Sequence, residues 1–129
     1  MDNLNNYLLD SVGKIIIENV RDGALNISMG IVNQTTPNQV DLKKYSVLSE
    51  LETDEREKVC DLLSATITDT IYRFLELFED YNDIIRLNIL YNGKEYDMTK
   101  ISEKMGSEIA SYEDDGWIQR FSKVGRFVL

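Results

Sequence analysis

The sequence predicts a mainly α protein of the α+β class: a helical bundle around one long central helix, with a single β-hairpin packed on it. Two changes of pattern carry this prediction. Between about 52 and 80, apolar residues recur at steps of three and four, the spacing of one face of an α-helix. Between about 84 and 98, apolar and polar residues alternate around Asn92-Gly93, the dipeptide most typical of a tight hairpin turn. With 129 residues and 43% hydrophobic content, we expect a single domain, 1–129.

The first helix is predicted at about 3–29. Its charged residues, Arg21 among them, fall on the side predicted to face solvent. Asp22-Gly23 could stop or bend this helix, and residues 22–32 have a pattern that suits a strand as well as a helix. We favour a helix that continues, with a kink. Its apolar stripe consists of Leu4, Leu8, Val12, Ile15, Ile16 and Val20.

A polar loop is predicted at residues 33–39, where Pro37, the only proline, lies among residues that favour turns. Asp41 could then cap a short helix over residues 42–48 that leads into the central helix. The side chains expected to point inward from this short helix are Tyr45, Val47 and Leu48.

The start of the central helix is strongly specified. Ser49 and Glu52 have the spacing of a capping box, and Thr53 is an alternative N-cap. On the solvated side, Asp69 and Arg73 are an acid–base pair four residues apart, which stabilises a helix by about 0.2–0.5 kcal/mol. Such pairs adjust the surface, whereas burial of the apolar stripe decides the fold.

The buried side of the central helix is predicted from its apolar stripe. Phe74 lies in the middle of this stripe, so Phe74→Ala is expected to lower the free energy of unfolding by about 3–5 kcal/mol. Cys60 lies one position from the stripe, and we interpret it as a half-buried hydrophobe because no basic cluster nearby would activate its thiol. The stripe consists of Val59, Leu62, Leu63, Ile67, Ile71, Phe74, Leu75 and Phe78.

A two-residue turn at Asn92-Gly93 determines the register of the hairpin. One face becomes mostly apolar and the other mostly polar, and the apolar face must pack on the helices because a lone hairpin is marginally stable. The predicted pairs are Tyr91–Lys94, Ile89–Tyr96 and Leu87–Met98 on the apolar face, and Leu90–Glu95, Asn88–Asp97 and Arg86–Thr99 on the polar face.

Two short helices are predicted to close the chain, at about 100–112 and 115–124. Gly106 weakens the first by about 1 kcal/mol relative to alanine, and Gly125 is placed to cap the second. Trp117 belongs to the apolar stripe of the last helix. We favour a core position for it over an exposed anchor for a partner.

The acidic charge of the chain is concentrated in the central helix. The formal net charge is −9, from 14 basic and 23 acidic residues. Residues 51–83 hold 3 basic and 10 acidic residues, a net −7, whereas residues 84–129 hold 7 of each. This balance argues against nucleic acid or an anionic membrane as the main partner, because both require basic surface. A cationic protein partner fits better. The candidate interaction residues are Asp61, Asp69 and Glu76, which face away from the stripe, and Trp117.

Side chains suited to catalysis are scarce. The sequence has no histidine, which removes the commonest general base and the commonest transition-metal ligand. Glu79, Asp80 and Asp83 could hold a hard cation, but their spacing is not that of a calcium loop, and such residues are ordinary at a helix end. No glycine-rich phosphate loop is present. We therefore assign no catalytic, metal-binding or cofactor-binding residue and expect no cofactor.

Two further charged groups lie near the end of the chain. The acidic residues 113–115 precede the last helix and complement its dipole. Arg120, Lys123 and Arg126 lie among aromatic residues, which faintly suggests an anion or stacking site, although such a triplet is usually the solvated face of a helix.

The sequence favours a cytoplasmic location. A single cysteine cannot form an intramolecular disulfide, and the first residues lack the pattern of a secretion signal. No apolar stretch approaches the roughly 18 residues that span a bilayer, so no membrane partner is expected.

Several segments in order resemble those of small bacterial cytoplasmic proteins of unknown function. The resemblance covers most of the chain without a specific motif, and it implies a bacterial cytoplasmic origin but no activity. The segments are Arg21-Asp22-Gly23, Leu48-Ser49-Glu50-Leu51, the helix from Thr53 to Phe78, the hairpin, and the run from Gly116 to Lys123.

Three functional hypotheses follow. The leading one is a small non-catalytic binding module, such as an immunity or antitoxin-like inhibitor or a regulatory adaptor, because a strongly acidic helix occurs without a catalytic constellation. The second is a structural homo-oligomer, such as a homodimer in which part of an apolar stripe is shared between two copies. The third is an enzyme that uses carboxylates, tyrosines and Mg²⁺, for which the sequence offers the least support.

Overall fold

The computed structural model describes residues 3–110 and 115–125. The first half is helical: α1 (Asn3–Ile16), a π-helical turn (Ile17–Arg21), α2 (Asp22–Val32), α3 (Gln39–Lys44), a 3₁₀ turn (Ser46–Glu50) and α4 (Thr53–Asp80). A two-stranded antiparallel hairpin follows, β1 (Asn88–Tyr91) and β2 (Lys94–Asp97). The last elements are α5 (Met98–Ile101), a 3₁₀ turn (Met105–Glu108) and α6 (Trp117–Phe121). The predicted α+β class, with a long central helix and a packed hairpin, is confirmed.

The first helix continues through Asp22-Gly23, as favoured, and the strand alternative for 22–32 is wrong. Continuity is kept by the π-helical turn, which adds one residue to a turn of the helix and so shifts the side chains that follow. This shift turns both Arg21 and Asp22 inward. The prediction that Arg21 faces solvent is therefore wrong, because the straight α-helical spacing used to make it does not hold across the π turn.

The central helix α4 begins with a capping box formed by Glu52 and Glu55, and not by Ser49 or Thr53 as predicted. The backbone N–H of Glu52 donates to Glu55 Oε1 at 2.8 Å. Ser49 belongs to the preceding 3₁₀ turn, where its carbonyl oxygen accepts from Arg56 Nη2 at 3.1 Å. The helix consequently starts one turn beyond the position that a Ser49 cap would give.

The buried face of α4 is rotated relative to the predicted stripe. Leu62 and Phe74 are 66% and 58% exposed, so their assignment to the core is wrong. Cys60 and Ser64 are almost completely buried instead, because this side of α4 faces Arg21. The residues of α4 that are buried are Cys60, Ser64, Ile71, Leu75 and Phe78.

The short helix before α4 is α3, and it begins earlier than predicted. Its cap is Asn38, whose Oδ1 accepts from the backbone N–H groups of Val40 and Asp41, so the proposed Asp41 cap is wrong. Tyr45 and Val47 are exposed, contrary to the prediction, because they lie in the turn between α3 and α4.

The predicted hairpin register is confirmed for the four pairs from Tyr91–Lys94 to Asn88–Asp97. The predicted pairs Leu87–Met98 and Arg86–Thr99 are not part of the ladder, because the chain enters α5 at Met98. Asn92 and Gly93 have φ values of 50° and 77°, which is the left-handed geometry that a type I′ turn requires. The apolar face packs on the core through Ile89 and Leu87.

The segment after the hairpin differs from its prediction. A continuous helix at 100–112 is wrong for the described part, which forms α5 and then a 3₁₀ turn; residues 111 and 112 lie outside the described residues. Gly106 allows this turn to approach α4, since a β-carbon there would lie 2.8 Å from the ring of Tyr72. The last helix, α6, is shorter than the predicted 115–124, and its C-cap is Ser122 and not Gly125.

The core lies where the π turn and α4 meet the C-terminal elements. Within the described part of the chain, no helix is both long and apolar enough to cross a membrane. The buried core residues are Ile17, Ile71, Leu75, Phe78, Met98, Met105, Ile109, Trp117 and Ile118.

Candidate interaction surface

The charged groups considered as cation sites do not form one in the described structure. Across residues 3–110 and 115–125, no group of three or more Cys, Asp or Glu side chains is arranged to hold a metal ion. Of the acidic run 113–115, only Asp115 is among the described residues. Cys60 is 1% exposed, so its thiol is more deeply buried than expected and is inaccessible to solvent.

The most polar constellation in the interior surrounds Arg21, which is 0% exposed. Its guanidinium donates to Ser64 Oγ at 3.0 Å and to Thr68 Oγ1 at 3.2 Å, both on α4. It also lies 3.2 Å from the carboxylate of Asp22 and 3.0 Å from Ser122 Oγ. Burial lowers the pKa of Arg21 and the Asp22 carboxylate opposes this change, but a guanidinium remains charged at neutral pH.

Asp22 connects this network to the C-terminal segment. Its carboxylate accepts from Ser122 Oγ and from the backbone N–H of Lys123, each at 2.7 Å. Three separate parts of the chain therefore meet at one buried ion pair. Since both charged groups are buried and hydrogen-bonded to the protein, we interpret the network as structural and not as a binding site.

The acidic side of α4 contains the three predicted interaction residues, Asp61, Asp69 and Glu76. They share a side of the helix because they are eight and seven residues apart. Asp69 is exposed and forms a 2.8 Å ion pair with Arg73, as predicted, whereas Asp61 and Glu76 are half-buried. The carboxylate of Glu76 also raises the pKa of the exposed Tyr72, mainly through its charge.

Trp117, the fourth candidate interaction residue, is 0% exposed. Its indole lies against α1 at Gly13, where a β-carbon would be 2.5 Å from the ring. The favoured core position is therefore the one that the structure shows, and Trp117 offers no surface to a partner in this conformation.

The basic residues near Trp117 are engaged in ion pairs. Arg120 Nη2 lies 2.9 Å from Asp10 Oδ1, and its guanidinium lies over the ring of Phe121. Lys123 Nζ lies 3.1 Å from Glu18 Oε2. Arg126 is outside the described residues. Because the two described cations already have carboxylate partners, they do not form the anion site that the sequence faintly suggested.

A polar groove of about 410 Å³ lies beside the hairpin. Three cations line it, Arg86, Lys94 and Lys100, together with two carboxylates. One carboxylate, Asp97, accepts from the Thr99 backbone N–H at 2.9 Å and from its hydroxyl at 2.7 Å. This mixture of charges distinguishes the hairpin side from the acidic side of α4.

Two apolar grooves lie along the seam between the first helix and α4. One, of about 220 Å³, is lined by Ile16, Val20, Thr70, Ile71, Phe74 and Leu75. The other, of about 300 Å³, is lined by Ser28, Ile31, Val32, Tyr45, Leu48, Val59 and Leu63. We call the surface that contains both grooves the seam face.

Comparisons with models of protein families, with curated proteins and with solved structures found no match for this chain. The fold and its surface define a small acidic α+β protein whose central helix has an acidic side and another side that lines two apolar grooves. The seam face was not predicted from the sequence, because Phe74, which lines one of its grooves, was assigned to the core. The sequence does contain one indication of an apolar surface there, since residues 23–40 and 62–68 contain no charged side chain.

Proposed function

We propose that this protein is a small, acidic, non-catalytic binding module of the cytoplasm. Its partner is a cationic protein, on which it acts as an inhibitor of the immunity or antitoxin type or as a regulatory adaptor. The observation that carries the proposal is the acidic side of α4, where Asp61, Asp69 and Glu76 share one side of a 28-residue helix.

Electrostatics support this choice of partner. Residues 51–83 have a net charge of −7, and α4 contains most of this segment. Repulsion between like charges on one helix is unfavourable, and a basic partner surface would relieve it and accelerate association.

The non-catalytic part of the proposal rests on the chemistry of the side chains. The chain has no histidine, and its one cysteine is buried. The buried ion pair Arg21–Asp22 is fully occupied by contacts within the protein.

The proposal is tested with immobilised protein in a lysate of the source cell. The parent is compared with Asp61→Lys/Asp69→Lys/Glu76→Lys, and the control is Asp83→Lys/Glu95→Lys/Glu103→Lys, three exposed acids outside the acidic side of α4. Each triple variant changes the charge by six units, from −9 to −3. We expect the parent and the control to retain the same basic protein, and the α4 variant to lose it. Equal retention by all three proteins, or no specifically retained basic protein, would contradict the proposal.

Association rates of the purified pair supply a second measurement. We expect added salt to slow association of the parent and scarcely to affect the α4 variant, because exposed charges are screened beyond about 8 Å at physiological ionic strength. The melting temperatures of both variants must first be compared with the parent, since Asp61 and Glu76 are half-buried. Identical association rates for parent and α4 variant at low salt would exclude the acidic side from the interface.

A further inference from the structure

We propose that the polar groove beside the hairpin binds a small molecule that carries a phosphate monoester group. Its lining residues come from α1, from the hairpin and from the segments that flank the hairpin. The groove is therefore separate from the acidic side of α4, and a ligand bound there goes beyond the proposed function and does not depend on it. The ligand class is inferred from the cations of the groove, from the contacts that leave them available, and from the volume between them.

The ends of the hairpin bring three cations to this groove. Arg86 lies before β1 and Lys100 lies in α5, so each is close in sequence to the open end of the ladder. The backbone N–H of Met98 donates to the carbonyl oxygen of Leu87 at 2.9 Å. This hydrogen bond joins the two segments beyond the ladder and keeps Arg86 and Lys100 at the same end. Lys94, the first residue of β2, supplies the third cation from the turn end.

The charges of the groove do not neutralise one another in ion pairs. Within the described part of the chain, none of the three cations forms an ion pair, and neither do the two carboxylates of the groove, Glu95 and Asp97. Asp97 is held by Thr99 instead, through the backbone N–H at 2.9 Å and the hydroxyl at 2.7 Å. Three cations and two carboxylates leave an excess of one positive charge in a chain whose net charge is −9. The cations are therefore available to an anion from solution.

Two of the cations are held in place by contacts that leave their charged ends unoccupied. Arg86 Nε donates to the carbonyl oxygen of Asn82 at 3.3 Å, whereas its Nη1 and Nη2 have no acceptor among the described residues. The two Nη groups of a planar guanidinium can bind two oxygens of a phosphate or carboxylate at once. Lys94 Nζ lies 5.3 Å from the ring centroid of Tyr96, so its side chain lies along β2 and not out in solvent. The groove thus offers a guanidinium fork together with ammonium groups.

The size and the neutral side chains of the groove indicate a ligand larger than a free ion. Its volume of about 410 Å³ lies in the range of small-molecule sites, roughly 300–1,000 Å³. Asn5, Asn88 and Tyr96 also line it, and their amide and phenol groups can form hydrogen bonds with hydroxyl groups of a ligand. A phosphate monoester matches three cations better than a carboxylate does, because it carries up to two negative charges and three acceptor oxygens. A phosphorylated sugar or polyol combines such a phosphate with several hydroxyl groups.

NMR titration of the ¹⁵N-labelled protein tests the site. The probe is glucose 6-phosphate, added to about 10 mM, and the matched probes are glucose, which lacks the phosphate, and succinate, which has only carboxylates. We expect glucose 6-phosphate to shift the amide signals of residues 86–100, succinate to shift them much less, and glucose to leave them unchanged. No shift with glucose 6-phosphate, or an equal shift with glucose, would overturn the proposal.

Substitutions of exposed cations assign the binding to the groove. Lys94→Gln/Lys100→Gln should raise the dissociation constant at least about tenfold. The control is Lys43→Gln/Lys58→Gln, two exposed lysines that do not line the groove, and each double variant changes the charge from −9 to −11. The control should bind as the parent does. Arg86→Lys keeps the charge but loses the guanidinium fork, so it should weaken binding several-fold. Equal affinities for the parent and Lys94→Gln/Lys100→Gln would overturn the assignment to this groove.

The dependence of binding on pH identifies the phosphate as the group that is bound. The second pKa of a phosphate monoester is about 6, and the chain has no histidine, the side chain that ordinarily titrates in this range. We therefore expect binding of glucose 6-phosphate to become tighter between about pH 5 and pH 7.5, as the ligand gains its second charge. Binding that does not change over this interval would overturn the choice of a phosphate. The α4 charge variant should bind the probe as the parent does, so this test and that of the proposed function have separate outcomes.

Discussion

Gly13 and Trp117 are 104 positions apart in the sequence and in direct contact in the fold: a β-carbon on Gly13 would lie 2.5 Å from the indole Nε1 and Cε2. The glycine leaves room for the largest buried side chain of the core to lie against the backbone of α1. Glycine is therefore needed at position 13 because it has no side chain, and not because of its backbone conformation, since the φ of Gly13 is not positive.

We expect Gly13→Ala to lower the free energy of unfolding by about 1–3 kcal/mol, because overpacking at Trp117 outweighs the helix propensity gained. Gly23→Ala is the matched control, since Gly23 is also helical but has nothing within 4 Å of its β-carbon position. The free energy of unfolding of Gly23→Ala should rise by about 0.5–1 kcal/mol. Urea denaturation of both variants measures the difference, and the same sign for both would mean that Trp117 is not held against α1.

Arg21→Ala should lower the free energy of unfolding by about 3–5 kcal/mol, because it leaves the buried carboxylate of Asp22 without its opposite charge. The control is Arg73→Ala, which removes an exposed ion pair and should leave the free energy of unfolding nearly unchanged. Chemical denaturation monitored by circular dichroism compares them. If the free energy of unfolding of Arg21→Ala lies within about 1 kcal/mol of the parent value, water replaces the guanidinium and the network is not structural.

Phe74→Ala should lower the free energy of unfolding by only about 1 kcal/mol, and not by the 3–5 kcal/mol expected from its position in the apolar stripe. Its ring is 58% exposed and keeps one edge-to-face contact, with the Phe78 ring centroid 5.3 Å away. Ile71→Ala, one turn earlier and 6% exposed, should cost about 2–4 kcal/mol. Melting both variants at low protein concentration gives the comparison, and a Phe74→Ala loss as large as that of Ile71→Ala would place Phe74 in the core.

Asp97→Ala should destabilise the protein by about 0.5–2 kcal/mol at neutral pH, because Asp97 caps α5. The hydrogen bond from Thr99 lowers the pKa of Asp97 below its ordinary value. A carboxyl with a lower pKa in the folded state stabilises it above the unfolded pKa, and this contribution disappears as pH falls through the folded pKa. The parent and Asp97→Ala should therefore converge in stability only below about pH 4. A difference that stays constant down to pH 2 would show that the charge of Asp97 is not involved.

Local patterns were sufficient to predict the elements whose residues interact within a short stretch. Asn92-Gly93 predicted the hairpin and its register, since the turn geometry alone determines which residues pair. The Asp69–Arg73 pair followed from helical spacing in the same way. The candidate surfaces divide similarly: the acidic side of α4 was predicted from spacing, whereas the seam face was not predicted, although the uncharged residues 23–40 and 62–68 are visible in the sequence.

What the sequence by itself determined is the class of the fold, the long central helix, the hairpin and the concentration of acidic charge, because each depends on periodicity or composition. What only the tertiary structure decided is which side of each helix is buried. The π turn directs Arg21 inward, the side of α4 with Ser64 and Thr68 faces its guanidinium, and Phe74 faces outward. A polar group is buried when distant residues satisfy its hydrogen bonds, and that condition involves contacts between separate parts of the chain that no local pattern contains.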